Sequence, residues 1–96
     1  MLVNVVTYTF PNERADEVER LLRELGEASR EEPGCGGFDV CRGDGESAGT
    51  FVLFEKWRDQ GALDAHYQTE HFARLGANGI RLLATSRHAA KGTLVE

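Results

Sequence analysis

The chain has 96 residues, 41% of them hydrophobic, a size that fits one compact domain over 1–96 and that buries only about 60 to 70% of the surface of its unfolded form, so that a dimer would help it. Its 16 acidic residues against 11 basic give a net charge of −5, which, with no basic stripe to compensate, argues against a nucleic-acid partner. No run approaches the roughly 18 apolar residues of a membrane span, and the start, MLVNVVTYTF, has neither a basic n-region nor a small-residue cleavage site; a soluble, cytoplasmic protein without membrane partner is expected.

Leu2 to Phe10 alternates as a strand, with Leu2, Asn4, Val6, Tyr8 and Phe10 on one face and Val3, Val5, Thr7 and Thr9 on the other. Both faces are largely apolar or aromatic, so both should be covered. Pro11-Asn12 ends the strand, and Asn12 is a candidate cap for a helix whose Ala15, Val18, Leu21, Leu22, Leu25 and Ala28 share one side. Asp16/Arg20 and Glu19/Arg23 have the acid-before-base spacing of solvent-side helix pairs. Pro33-Gly34 closes the helix, since proline lacks a donor and disfavours helix at the residue before it.

Gly37 to Arg42 reads as a second strand, Gly43 to Gly49 as a polar hairpin loop, and Thr50 to Trp57 as a third strand. Cys35 and Cys41 fall at opposite ends of the second strand, on the order of 20 Å apart, too far for a disulfide, and their spacing is not that of a C-x-x-C zinc pair; two free thiols are expected. Asp59 can cap a helix to about Gln68, and Thr69 a further one in which Phe72, Leu75, Gly79, Leu82 and Leu83 keep helical spacing. Ser86 to Val95 supplies a last strand. The order β-α-β-β-α-β is that of a ferredoxin-like α+β fold, a split βαβ with a four-stranded antiparallel sheet and helices on one face. The bare face carries bulky residues of the first and third strands, which points to sheet-to-sheet homodimerisation.

Chemistry is sought between Thr50 and Phe72, which hold the only Trp and two of the three His. Alternation puts Glu55 on the face of Phe51, Leu53 and Trp57, a carboxylate against an aromatic wall that has to be either paired or functional. Trp57 is either a core residue with its indole N–H satisfied or a ring that stacks on an aromatic ligand. His66 and His71, five residues apart, would point about 140° apart on a continuous helix, but a break at Gln68-Thr69 could bring them together. An imidazole there suits a general base for a phenol or an acidic C–H. His66, His71 and Glu55 could in principle make a metal set, but no metal-ligand spacing supports it, and none is expected. His88 is read as solvent-facing.

The elements Glu32-Pro33-Gly34-Cys35, Glu55-x-Trp57, Leu63-x-Ala65-His66 and Thr69-x-His71-Phe72, in this order, resemble the antibiotic biosynthesis monooxygenase (ABM) family over Val3 to about Leu83. The resemblance implies a dimeric α+β barrel with a pocket between sheet and helices. It also implies chemistry on quinols or polyketide anthrones with O₂ and without metal or flavin, because an electron-rich, deprotonated substrate can itself hand an electron to O₂ in a dry pocket. The anthrone-oxidising branch has an Asn and a Tyr where this chain has Leu53 and Leu63, and the haem-degrading branch, which shares Asn4, has its iron ligand at the position of Gly76. The histidine pattern is closest to the small quinol monooxygenases. Expected roles follow: His66 or His71 as base, Glu55 orienting, Trp57, Phe51 and Leu53 as pocket wall, Asn4 and Phe72 as further substrate contacts, with no cofactor. An isomerase or cyclase using the same base without oxygen, or a non-catalytic ligand-binding dimer, are the alternatives.

Overall fold

Strand alternation and helical spacing generate a two-layer α+β structure in the computed structural model, which describes residues 1–95. Strand β1 (Leu2–Thr9) lies between β3 (Thr50–Trp57) and β4 (Ser86–Thr93), and β2 (Cys35–Arg42) flanks β3, giving the order β2-β3-β1-β4 with every pairing antiparallel. Helix α1 (Ala15–Arg30), helix α2 (Gln60–Tyr67) and a third helical segment, wound as a π-helix over Phe72–Ile80 and ending in the turn Arg81–Leu83 (together α3), cover one face. This is the ferredoxin-like arrangement expected from the element order. Among the described residues no helix is long and apolar enough to cross a membrane.

The core face of β1 is the expected one, with Asn4, Val6, Tyr8 and Phe10 buried against Phe51, Leu53, Glu55 and Trp57 of β3. Phe10 lies just past the strand, its N–H donating to the Gly49 carbonyl at 2.8 Å. The buried line of α1 runs Ala15, Val18, Leu22, Leu25, Gly26 and Ser29, so Leu21 and Ala28, expected in the core, sit at its margin. Asn12 does not cap α1; it opens a 3-10 turn, Asn12–Arg14, that winds straight into the helix without a side-chain cap. Glu19 pairs with Arg23 as its spacing suggests, but Asp16 reaches Arg42 on β2 rather than Arg20, and Glu19 also binds Arg42, which ties helix to sheet.

Strand β2 begins at Cys35, two residues earlier than expected, because a bulge between Cys35 and Gly37 lets it stay paired with β3. Both cysteines are free. Helical spacing does not reveal the π winding of α3, which moves the buried positions to Leu75, Gly76 and Ile80 and leaves Leu82 75% exposed. Five-residue steps replace the three-and-four pattern that would put Leu82 inside. Strand β4 is exposed along its whole length, and His88 with it. The uncovered side of the sheet shows Phe54, 48% exposed, beside half-buried Val3, Val5 and Val52.

Candidate active site

Three separate local structures converge behind the sheet. The turn that ends α1 carries Glu32, whose N–H donates to the Ser29 carbonyl and whose own carbonyl accepts from Cys35 N–H. Helix α2 starts where the Asp59 carboxylate accepts the Ala62 N–H at 2.9 Å, the expected N-cap, and presents His66 inward in its last turn. Thr69 then joins α2 to α3: its hydroxyl donates to the His66 carbonyl at 2.7 Å and accepts the Phe72 N–H at 3.2 Å. That break returns His71 to the side of His66, their rings 6.1 Å apart.

Both imidazoles meet one carboxylate oxygen. His66 Nδ1 lies 2.7 Å and His71 Nε2 2.8 Å from Glu32 Oε2. An ionised carboxylate only accepts, so each ring donates N–H to it, which sets His66 as the Nδ1–H tautomer and leaves its Nε2 lone pair for another proton. His66 is 2% exposed, boxed by Trp57 at 4.7 Å and Phe72 at 5.2 Å between ring centres. Burial pushes its pKa below the ordinary histidine value, against the opposing pull of the Glu32 hydrogen bond and charge. The ring is therefore neutral at neutral pH, yet a proton arriving on it would be held by Glu32, the relation of histidine to carboxylate in a hydrolytic triad.

Glu55 belongs to a different cluster. Its Oε1 accepts from the Trp57 indole N–H at 3.1 Å and from Asn4 Nδ2–H at 3.4 Å, and burial raises its pKa, which disfavours the charged form. Of the His66, His71 and Glu55 grouping weighed as a metal set, the two histidines come together, and the carboxylate beside them is that of Glu32. One ligand atom from each of these three lies within 4.8 Å of the others, close enough to take a transition metal. Glu32 stood in the sequence only as part of the Glu32-Pro33-Gly34-Cys35 element, and its partner is 34 positions away.

A cavity of about 20 Å³, on the scale of one water, separates sheet and helices. Asn4, Leu53, Glu55, His66 and Phe72 line it, and so do Tyr8, Tyr67, Arg81 and Arg87, which sequence reasoning did not single out. Phe51 and Trp57 do not. Both are fully buried, Phe51 edge-on to Phe10 and Trp57 against His66, so Trp57 supports the histidine rather than offering a face to a ligand. His71 stands behind Glu32, outside the lining and partly exposed.

The family model described as antibiotic biosynthesis monooxygenase matches residues 1–77. "Putative monooxygenase YcnE" of Bacillus subtilis (strain 168) is 33% identical over 88% of this chain and 87% of its own length. The uncharacterized protein sll1783 of Synechocystis sp. is 35% identical over 75% of this chain, which spans only 48% of that longer protein. A crystal structure described as an antibiotic biosynthesis monooxygenase superposes with a TM-score of 0.89 at 35% identity, covering 100% of both chains.

Proposed function

The chain belongs to the antibiotic biosynthesis monooxygenase family, and from that premise we propose that it is a monooxygenase acting on an electron-rich aromatic, a quinol or phenolic polyketide, with O₂ and no cofactor. One observation carries the reading: a buried histidine, its Nδ1 held 2.7 Å from Glu32, lines the cavity. His66 removes the phenolic or C–H proton, the resulting anion passes one electron to O₂, and recombination forms a hydroperoxide. Loss of water leaves a new carbonyl, so a naphthoquinol plus O₂ yields a hydroxylated naphthoquinone plus water with atoms and electrons balanced. Glu32 stabilises the imidazolium, and His71, bound to the same oxygen and partly exposed, connects it to solvent. Glu55 and Asn4 orient, and Leu53 and Phe72 form the wall.

The cavity as it stands is smaller than any such substrate, so the segment around Phe72 has to give way on binding; the π-helical winding there, a form often found at functional sites, supports that role. We further propose that the chain folds as one domain and pairs through its uncovered sheet face as a homodimer, which would bury Phe54.

The test is dissolved-oxygen uptake by chelator-treated protein given reduced naphthoquinols and anthrones, corrected for autoxidation. Enzyme-dependent uptake with a hydroxylated quinone is expected. Uptake only after a divalent metal is restored would instead assign Glu32, His66 and His71 as its ligands. Turnover under anaerobic conditions would favour an isomerase using the same base, and no turnover of any kind a binding dimer.

A further inference from the structure

Six of the nine arginines hold an acceptor through their side chains, and Arg20, Arg81 and Arg87 do not. Arg14, Arg23, Arg42, Arg58 and Arg74 bind carboxylates, and Arg30 binds the Phe38 carbonyl. The side chains of Arg81, half-buried, and Arg87, exposed on β4, make no hydrogen bond or ion pair among the described residues, although the chain has 16 acidic residues to offer. These two line the cavity, one from α3 and one from β4. The Arg81 guanidinium lies 5.0 Å over the Phe72 ring and its Nε is buried without a partner; Arg87 lies 5.9 Å from the Tyr8 ring centre. Glu55, the carboxylate in the same cavity, accepts from Trp57 and Asn4 and makes no hydrogen bond to either arginine; burial raises its pKa, with the charges of Arg87 and Arg81 pulling the other way.

A cavity with two unpaired guanidiniums and a carboxyl already held by neutral donors is built for negative charge. Planar guanidinium groups approaching from two elements match the fork of a carboxylate or phosphate, and such a ligand would exchange two cation–π contacts for charge-assisted hydrogen bonds. We propose that Arg81 and Arg87 clamp an anionic substituent, carboxylate or phosphate, on the aromatic ligand, so that the substrate is an aromatic acid or aryl phosphate rather than a neutral quinol. The inference rests on the reading above only for the aromatic ring.

Calorimetric titration of the full chain with 1-naphthol, 1-naphthoate and 1-naphthyl phosphate tests it without turnover. At least one anion is expected to bind about tenfold or more tightly than naphthol, and the tighter of the two identifies the group. Arg81→Gln and Arg87→Gln should each reduce that preference, while Arg20→Gln, at an exposed unpaired arginine on α1, should keep it. Equal binding of naphthol and both anions, no binding of any probe, or an equal loss in Arg20→Gln would overturn the clamp. Oxygen uptake decides the oxygenase reading separately: anion preference without uptake keeps the clamp and removes that reading, and uptake with neutral quinols without anion preference does the reverse.

Discussion

In the proposed reaction Glu32 and His66 share the work that a lone histidine could not do as well. Burial alone would make His66 a poor proton acceptor, since it penalises the imidazolium, and the Glu32 hydrogen bond and charge partly restore its basicity. Replacing Glu32 by Gln keeps an acceptor oxygen but removes the charge, so turnover should fall about tenfold to a hundredfold by general-base reasoning. The acid limb of kcat/KM, already below the usual histidine value because the folded pKa is depressed, should move to still lower pH in that variant, since the group that raised it is gone. A limb that stays in place would remove Glu32 from the proton inventory. Glu55→Gln tests the second cluster: one oxygen accepts both Trp57 and Asn4, so the amide can keep both bonds. A raised folded pKa means that the stability due to Glu55 is fully present below its unfolded value of 4.5 and is lost as pH rises through the folded value. Thermal melts should therefore show Glu55→Gln gaining on the native chain as pH rises from 4.5 to 8; a constant difference would contradict the assignment. The histidines were legible in the sequence as chemistry, and Glu55 as a buried acid beside Trp57. Glu32 was not legible as their partner, because only the packing of the α1 turn against α2 brings it within 2.7 Å of His66.

Close contact between small residues sets where α2 lies. A Cβ on Gly34 would overlap the Cβ of Ala62, and the Gly34 carbonyl accepts the Arg58 N–H at 2.8 Å, so the α1 turn and the start of α2 touch without a side chain between them. Gly34→Ala should cost about 1 to 3 kcal/mol by overpacking and, because it separates Glu32 from His66, should lower turnover more than its loss of stability implies. Denaturant titration beside kinetics checks both; a destabilised variant with native turnover would show that the helix spacing is not part of the site. Gly76 plays a similar part for α3, where an added Cβ would come within 3.0 Å of the Phe72 ring that packs on His66. The strands, their faces and the breaks at Pro33-Gly34 and Gln68-Thr69 follow from alternation and turn chemistry. The π winding does not, since Phe72 to Leu83 satisfies an α-helical template nearly as well; Leu82 is where the template fails, and its 75% exposure records the wider turn.

For the molecule as a whole, the sheet has helices on one side and Phe54 with neighbouring valines on the other. An apolar strip on a small acidic protein suits a partner surface, and a second copy is the partner proposed for it from the alternation of β1 and β3. Phe54→Arg should convert the proposed dimer to monomer in sedimentation equilibrium, while a native chain that sediments as a monomer at micromolar concentration would remove the interface. The central claim, however, lies behind the sheet: a buried histidine, held by Glu32, starts oxygen chemistry on an aromatic anion. It is tested most directly by oxygen uptake of chelator-treated native protein and His66→Gln, side by side on one active quinol, with circular dichroism and melting temperature as the check on folding. The account predicts uptake reduced about a hundredfold or more in the folded variant. Native rates in folded His66→Gln would contradict it.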